Sequence, residues 1–495
     1  MRSPLHPLQG LLEALPPARR DAVADGLATR AQASGLVYLG ASGRRPIPVA
    51  FPPVIEPRDR TRRRSAIAQG ITRALASAAT RILDGALGAP LADDLLGELA
   101  PIEREIVAAR YRQVERLATV RADLFVDPSG VDRLLEINAT IPAMQGYSDI
   151  AAQAFVHAVL DAFGRDEGLA TEILAANGSN AADLLASIVA CHRAEGGTRE
   201  HPSIALVHRR DDSQLGELEF LASRFRDLGH DARTVIADDV ALTPAGRACI
   251  GEFSPDVLYR HVFATRVDPA TPIASILRKP DGHSLFNPVD PHLEQKGMLA
   301  ELSAASVDGD RRETLDVSAD DAALVRAHVP WTRRLRGGPS TDAAGRPIAD
   351  LVAHVRDRQA SWVIKRSWDF GGKGVFLGAE YGDEGSRTRA GARFGAELSW
   401  SGLVDACASE AGWVVQERVP LVTRPLWIAS TEGAREVPAF VDVSAYTNLG
   451  VSGASPSGGV CRASSSAIVN IQSGGGVVPL LSAEAADRLF AAITG

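Results

Sequence analysis

The sequence has few cysteines, few aromatic residues and no long apolar runs. Its four cysteines lie far apart and form no CxxC pair; they are Cys191, Cys249, Cys407 and Cys461. This spacing argues against a disulfide framework or a structural zinc site. No stretch of about 20 apolar residues indicates a membrane span. Residues 1–10 lack the basic and apolar regions of a signal peptide. We therefore expect a reduced, cytoplasmic protein without a membrane partner.

Neither sign of charge dominates the chain. Its 495 residues carry a formal net charge of −8, and charged residues make up 23% of the total, as in ordinary globular proteins. A mildly acidic chain gives no electrostatic reason to expect nucleic acid as a partner. At about 150 residues per domain, the length predicts two to four domains.

Lysine is scarce, although basic residues are not. Of the 53 basic residues only four are lysines, namely Lys279, Lys296, Lys365 and Lys373. A GC-rich genome explains a bias toward arginine. A retained lysine nevertheless indicates a position that needs a compact ammonium group instead of a planar guanidinium. Lys365 and Lys373 fall within one short glycine-rich segment.

The segment 362–378 predicts a strand, a glycine-rich loop and a second strand. Glycines let backbone N–H groups approach phosphate oxygens closely. Lys365 would contact an inner phosphate and Lys373 the γ-phosphate. The segment is neither a Walker A motif nor a dinucleotide fingerprint, because a strand follows the loop. An ordinary β-hairpin explains the loop alone equally well. Its glycines are Gly371, Gly372 and Gly374.

The segment 413–420 predicts a strand that could line an adenine pocket. Three apolar residues lead into Gln416 and Glu417, and a proline follows. The strand backbone would bind the base edge, and Glu417 would accept hydrogen bonds from ribose hydroxyls. Taken alone, an ordinary strand with an exposed polar pair is the favoured interpretation.

Oxygen-bearing side chains mark two further predicted strands, joined by a turn at 128–130. Glu136 and Asn138 are two residues apart and so point to one face of their strand, and Asp123 lies on the neighbouring strand. Oxygen ligands of this kind suit Mg²⁺, which takes the rest of its shell from water and phosphates. A half-exposed polar strand face is the alternative.

Near its end the chain again predicts strand, turn and strand, with Arg462, Asn470 and three glycines at 474–476. Arg462 could bind a phosphoryl group or an acyl phosphate in a bidentate way. A flexible terminal loop is the alternative.

Two other regions have clear periodicity. Apolar residues at three- and four-residue steps predict helix from about Thr61 to Ala118. Between 203 and 265, strands at 203–208, 232–236 and 256–260 with a helix at 215–228 predict a small parallel α/β unit.

The ordered set of motifs, from 110 to 476, resembles the ATP-grasp superfamily, and in particular the circularly permuted group similar to glutathionylspermidine synthase. In that group an Arg-x-Asp strand leads into a Glu-x-Asn strand, and both precede the lysine strand and the glycine loop. Arg121, Asp123, Glu136 and Asn138 match this order. The "VN-x-x-x-GGG" ending of the group matches Asn470 and its surroundings. The bulky residues at 368–370 and the continuation after 476 depart from the pattern and leave the substrate open.

The resemblance implies an α/β (α+β) protein with an ATP-grasp fold in circularly permuted order, a small parallel α/β domain and a helical N-terminal region. The expected units are a mostly helical region at 1–110, a metal-binding part of the core at 111–200, the small α/β domain at 201–305 and the nucleotide-binding region at 306–495.

The resemblance also implies an ATP- and Mg²⁺-dependent carboxylate–amine ligase that forms an amide through an acyl phosphate. Three residues would bind magnesium: Asp123, Glu136 and Asn138. Three would act in catalysis: Arg121, Lys373 and Arg462. The nucleotide would contact Lys365, Gly371, Gly372, Gly374, Gln416, Glu417 and Asn470. An ATP-dependent phosphotransferase and an inactive nucleotide-binding protein are the alternatives. The expected substrates are amino acids, small peptides or polyamines, and a homo-oligomer is possible.

Overall fold

A computed structural model describes residues 5–40, 43–113, 116–280, 282–369, 372, 374–456, 458–469 and 475–495. Three of the predicted site residues, Gly371, Lys373 and Asn470, lie outside these ranges. The helices of the described residues are α1 (Pro7–Glu13), α2 (Pro17–Ala33), α3 (Arg58–Leu83), α4 (Ala89–Gly97), α5 (Pro101–Arg110), α6 (Gln145–Ala162), α7 (Leu169–Asn177), α8 (Asn180–Ala194), α9 (Leu215–Asp227), α10 (Pro272–Arg278), α11 (Lys296–Ala305), α12 (Gly309–Thr314), α13 (Ala319–His328), α14 (Leu351–Asp357), α15 (Glu384–Phe394), α16 (Trp400–Ser409) and α17 (Ala483–Thr494).

The strands of the same residues are β1 (Val37–Gly40), β2 (Gly43–Pro46), β3 (Ala50–Phe51), β4 (Val54–Glu56), β5 (Leu117–Val126), β6 (Asp132–Asn138), β7 (Ile204–His208), β8 (Ala232–Ile236), β9 (Ala241–Leu242), β10 (Ala248–Cys249), β11 (Val257–His261), β12 (Ser284–Phe286), β13 (Thr332–Arg334), β14 (Ser340–Thr341), β15 (Pro347–Ile348), β16 (Trp362–Arg366), β17 (Val375–Leu377), β18 (Trp413–Glu417), β19 (Arg424–Ser430), β20 (Gly433–Leu449), β21 (Gly459–Ser464), β22 (Gly476–Val478) and β23 (Leu480–Ser482).

The largest sheet has seven strands and is built around the long strand β20. Ala445 on β20 pairs with Gly459 on β21 and with Ala122 on β5, so these two strands occupy opposite edges of β20. β6 continues the sheet beyond β5 in antiparallel register. In the second half of β20 the residues from Asp442 to Leu449 are buried on both faces of the sheet.

A second sheet has the antiparallel order β13-β18-β16-β17. Its far face packs against α14 and α16 around a core of its own, which includes Trp362, Ile364 and Val415. The opposite face of the sheet carries Lys365 and Gln416. Because this sheet has a core of its own, it packs as a layer distinct from the main sheet.

A third sheet is parallel and has the order β12-β11-β7-β8. Its strands β7, β8 and β11, with α9 between the first two, match the small parallel α/β unit predicted for 203–265. The two central strands, β7 and β11, are buried along their whole length, as is typical of parallel sheets, whereas the edge strand β8 is partly exposed. The carboxyl ends of β7 and β11 face the same cleft as the two antiparallel sheets.

The helix predicted from Thr61 to Ala118 is three helices followed by a strand. α3 ends at Leu83 and is followed by Gly85 and Gly88, which both have positive φ, and Pro101 begins α5. The buried residues of α3, among them Ile71 and Leu75, pack with strands of the main sheet. Propensity alone did not reveal that Leu117 already belongs to the fully buried strand β5.

No single helix in the described ranges is long and apolar enough to span a bilayer. α7 and α8 satisfy length and composition only as a pair bent by 51°.

Candidate active-site cleft

A cleft of about 780 Å³ lies between the three sheets. Every predicted site residue that the structure describes lines it; these are Arg121, Asp123, Glu136, Asn138, Lys365, Gly372, Gly374, Gln416, Glu417 and Arg462. They come from positions more than 300 residues apart in the chain. The sequence motifs therefore converge on one site.

The pairing of β5 with β6 brings four of these side chains together. Arg121 pairs with Asn138 and Asp123 pairs with Glu136. Because residues two apart share a face, all four side chains point to the same side of the sheet. The antiparallel register thus turns two short motifs into one polar surface.

Two arginines hold the Asp123 carboxylate. Arg121 donates from Nε to Oδ1 at 2.8 Å and from Nη2 to Oδ2 at 3.3 Å. Arg462 donates from Nη2 to Oδ2 at 2.8 Å. Ser444 donates its hydroxyl to Oδ1 at 2.9 Å. Four donors on two oxygens make this carboxylate a fixed anchor for both guanidinium groups.

The electrostatics of this cluster favour an ionised Asp123. Burial raises the pKa of its carboxyl group, but Arg121 and Arg462 outweigh burial and hold the pKa well below its ordinary value. Burial also opposes the charge of Arg462, yet Asp123 and Asp442 together raise the pKa of this guanidinium. Both arginines therefore stay charged.

Sequence reasoning missed Asp442 and Ser444. Asp442 pairs directly with Arg462 and accepts its backbone N–H at 2.9 Å and its Nε at 2.8 Å. Both residues lie on one face of β20, where Asp442 and Ser444 alternate with the apolar residues Val441, Val443 and Ala445. That local alternation was the available signal.

Lys296 was also missed as a site residue. It begins α11, lines the cleft, and its Nζ lies 3.3 Å from Oε2 of Glu136. The scarcity of lysine in this chain was the signal that could have identified it. Glu136 is about one-third exposed, with 35% of its side chain accessible, so its carboxylate remains open to a ligand in the cleft.

Lys365 projects from the second sheet toward this surface. Its Nζ donates to Oε1 of Gln416 at 2.7 Å, and Nε2 of Gln416 donates to Oγ1 of Thr332 at 3.0 Å. Burial lowers the pKa of Lys365 to about 8, although the negative charge of Glu136 opposes this shift. An anionic ligand beside Lys365 would restore its full positive charge.

The second sheet also supplies an apolar wall to the cleft. Val363, Val375 and Leu377 of this sheet line the cleft, and Leu421 and Ile468, which lie outside the sheet, line it as well. A flat aromatic ring can pack on such residues, while polar groups nearby bind its edge. This is the environment expected of an adenine pocket.

Two glycines of the predicted loop have no room for a side chain. Gly372 has φ +73°, and a Cβ there would lie 2.7 Å from Cγ2 of Ile468. A Cβ on Gly374 would lie 2.7 Å from Cβ of Arg366. The backbone therefore passes close to its neighbours at the mouth of the cleft, as only glycine allows.

The donor set fits Mg²⁺ at Glu136 and Asn138. Asn138 uses Nδ2 to donate to the carbonyl of Arg121 at 3.4 Å, which leaves its Oδ1 directed away from that bond. With Glu136 this gives two oxygen ligands on one strand face, and phosphates and water would complete the shell. Asp123 lies opposite Glu136, but its oxygens already accept four hydrogen bonds, so its part in metal binding stays a prediction.

Comparison with known proteins finds a similarity only to solved structures. No protein-family model matches the chain, and no curated protein does. Among solved structures, the chain is similar to a glutathione synthetase-like effector of Globodera pallida, determined in its apo form. The TM-score is 0.56 at 12% sequence identity, over 97% of this chain and 100% of that one.

At this identity the likeness concerns the fold. The protein is a mixed α/β chain that folds like a glutathione synthetase-like protein over nearly its whole length. The roles of its cleft residues follow from their own chemistry.

Proposed function

We propose that the protein is an ATP- and Mg²⁺-dependent ligase of the ATP-grasp type, in circularly permuted order, that joins a carboxylate to an amine. The observation that supports this most strongly is the convergence of ten motif residues on one cleft. Cations, metal-binding oxygens and an apolar wall meet there, and these are the three requirements of a site that uses ATP. The likeness to a glutathione synthetase-like protein agrees with it.

In the first step a substrate carboxylate attacks the γ-phosphorus of ATP, which forms an acyl phosphate and releases ADP. Lys365 and Lys296 neutralise charge on the phosphates. Magnesium, bound by Glu136 and Asn138 with Asp123 beside them, would supply further neutralisation there. Lys373, beyond the described residues, is the candidate for the γ-phosphate.

In the second step an amine attacks the acyl carbon, an amide forms, and phosphate leaves as the amine loses a proton. Arg121 and Arg462 are held side by side by Asp123, so they can stabilise the oxyanion of the tetrahedral intermediate without reorganisation. Water must be excluded, since it would hydrolyse the acyl phosphate. We expect the loop from Gly371 to Gly374, of which Gly372 and Gly374 line the cleft, to close over the substrates.

The test is a screen for ADP release with pairs of acids and amines in the presence of Mg-ATP, followed by mass measurement of the product. An amide is expected. Lys365→Ala and Glu136→Ala should abolish turnover in folded protein, since the first removes a cation at the phosphates and the second removes a magnesium ligand. Lys279→Ala is the matched control, because Lys279 is exposed after α10, outside the residues that line the cleft.

Other outcomes separate the alternatives. A phosphate ester instead of an amide would identify a phosphotransferase. Binding of ATP without ADP formation across the panel would identify an inactive nucleotide-binding protein. ADP release that survives in Lys365→Ala or Glu136→Ala would contradict the roles given to these residues.

A further inference from the structure

The third wall of the cleft is the carboxyl edge of the parallel sheet. β7 and β11 are adjacent and parallel, and their last residues, His208 and His261, pair directly. The chain segments that follow these strands line the cleft with Arg209, Asp212 and Arg266. In open α/β sheets, ligands bind outside the carboxyl ends of the strands. None of these residues has a role in the nucleotide chemistry above.

His261 is a buried residue on this edge whose hydrogen-bonding groups are unsatisfied in the described part of the chain. It is only 4% exposed, it lines the cleft, and neither ring nitrogen has a hydrogen-bond partner among the residues that the structure describes. Buried polar side chains are almost always hydrogen-bonded. Burial lowers the pKa of the ring, so at neutral pH the ring is uncharged, with one donor and one acceptor. A bound molecule would satisfy it.

The charge of the edge decides the class of molecule. Arg266 is exposed and makes no ion pair within the described ranges. The carboxylate of Asp212 is already engaged: its Oδ1 accepts the N–H of Gln214 at 2.9 Å, and its Oδ2 lies 3.7 Å from Nε of Arg209. Two guanidinium groups against one carboxylate leave an excess of one positive charge. The edge therefore attracts an anion and repels a polyamine.

We propose that Arg209, His261 and Arg266 form a subsite that binds a carboxylate of the acid substrate, so that this acid, as distinct from the amine it is joined to, is an amino acid or a short peptide. This deepens the proposed function and rests on it for the assignment of the other two walls to the nucleotide. The bound carboxylate is either the one to be activated or a second one on the same molecule.

The test is calorimetric titration of the full chain, with Mg²⁺ and a non-hydrolysable ATP analogue present. Four probes are compared: propionate with one carboxylate, glutarate with two, the uncharged glutaramide, and the dication putrescine. Glutarate is expected to bind and glutaramide is not, and any binding of putrescine is expected to be independent of Arg266. If propionate binds as well as glutarate, one carboxylate is enough; if it does not, the subsite takes a second carboxylate.

The variants assign the binding to this edge. Arg266→Gln should weaken glutarate binding about tenfold or more, as loss of a charge-assisted hydrogen bond does. Arg247→Gln should change nothing, because Arg247 is equally exposed on the same unit but does not line the cleft. His261→Phe should also weaken binding. Because His261 is buried, its substitution can harm folding. The effect of Arg266→Gln, at an exposed residue, is therefore the result that tests the subsite.

The subsite is wrong if glutaramide binds as tightly as glutarate, if Arg266→Gln and Arg247→Gln behave alike, or if no carboxylate probe binds. None of these outcomes depends on turnover. If the protein releases ADP but glutarate binding does not depend on Arg266, the proposed ligase activity is supported and the subsite is wrong. If glutarate binding depends on Arg266 but no ADP is released, the subsite is supported and the proposed ligase activity is wrong.

Discussion

Asp123 and Arg462 show how one buried ion cluster links distant parts of the chain. Arg462 bridges Asp123 on β5 and Asp442 on β20, and all three are largely buried. Removing Arg462 would leave two carboxylates side by side without their shared counter-charge, which in buried pairs costs about 3–5 kcal/mol. Loss of activity in an Arg462 variant would therefore mix a catalytic effect with a folding effect. Lys365 and Glu136 are cleaner probes.

Lys365 gives a prediction about pH. Burial lowers the pKa of its ammonium group to about 8, so above pH 8 the free protein has a neutral amine where a phosphate should bind. The dissociation constant of Mg-ATP should therefore rise about tenfold per pH unit above this pKa, since binding then requires uptake of a proton. Isothermal titration between pH 7 and 10 measures it.

Lys365→Met is the matched variant for this titration. It should bind Mg-ATP weakly and without the alkaline rise, because its side chain does not titrate. Lys279→Met should keep the wild-type profile. A pH-independent dissociation constant in the wild type would contradict the assignment of Lys365 to a phosphate contact.

At the scale of elements, the sequence predicted the parts whose signal is local. The strands β7, β8 and β11 and the helix α9 fall within a residue or two of the predicted ranges, because each combines an apolar run with a clear end signal. Glu136 and Asn138 were predicted to share a face, because a strand has a period of two residues, and Asp123 was predicted to lie on the neighbouring strand. These inferences needed no knowledge of tertiary structure.

What the sequence did not predict depends on contacts between distant segments. Asp442 and Lys296 enter the site only because β20 pairs with β21 and because α11 starts opposite β6. The carboxyl edge with His261 and Arg266 was likewise invisible, since its strands gave no motif. The helical pattern predicted to run to Ala118 was wrong at its end, because Leu117 and Ala118 already belong to β5, which pairs with β20.

The link between α9 and the active site gives a prediction for these elements. Glu217 on α9 accepts the backbone N–H of Met144 at 2.6 Å and of Gly146 at 3.1 Å, where α6 begins. The preceding carbonyl, of Ala143, accepts Nη1 of Arg121 at 2.9 Å. Burial raises the pKa of Glu217 to about 7. A raised carboxyl pKa stabilises the fold at low pH, and that stability is lost as pH rises through 7.

Glu217→Gln keeps the acceptor oxygen but cannot ionise. It should match the wild type in free energy of unfolding at pH 5 and exceed it by about 2–3 kcal/mol at pH 8. Urea denaturation at the two pH values measures this difference. Glu219→Gln, on the exposed face of the same helix, should show no such change. Equal stability of Glu217→Gln and wild type at pH 8 would show that Glu217 does not carry a buried charge.

On the scale of the whole molecule, the cleft joins three sheets that have separate hydrophobic cores. The second sheet packs around Trp362 and Val415, the parallel sheet around Leu258 and its neighbours, and the main sheet around Leu124 and Leu134. A ligand that contacts all three walls of the cleft links three sheets that otherwise pack around different cores. Ligand binding should therefore stabilise the contacts between the sheets more than it stabilises any one sheet.

The corresponding prediction concerns the melting temperature. Mg-ATP at about 100 times its dissociation constant should add about 2.7 kcal/mol of stability, which corresponds to a rise of a few degrees. Differential scanning calorimetry with and without Mg-ATP measures this rise. EDTA should reduce it, and Lys365→Ala should abolish it, whereas Lys279→Ala should retain it in full. An unchanged melting temperature in the wild type would mean that the glycines and lysines of the cleft are structural only, and an identical rise in Lys365→Ala would mean that the nucleotide binds elsewhere.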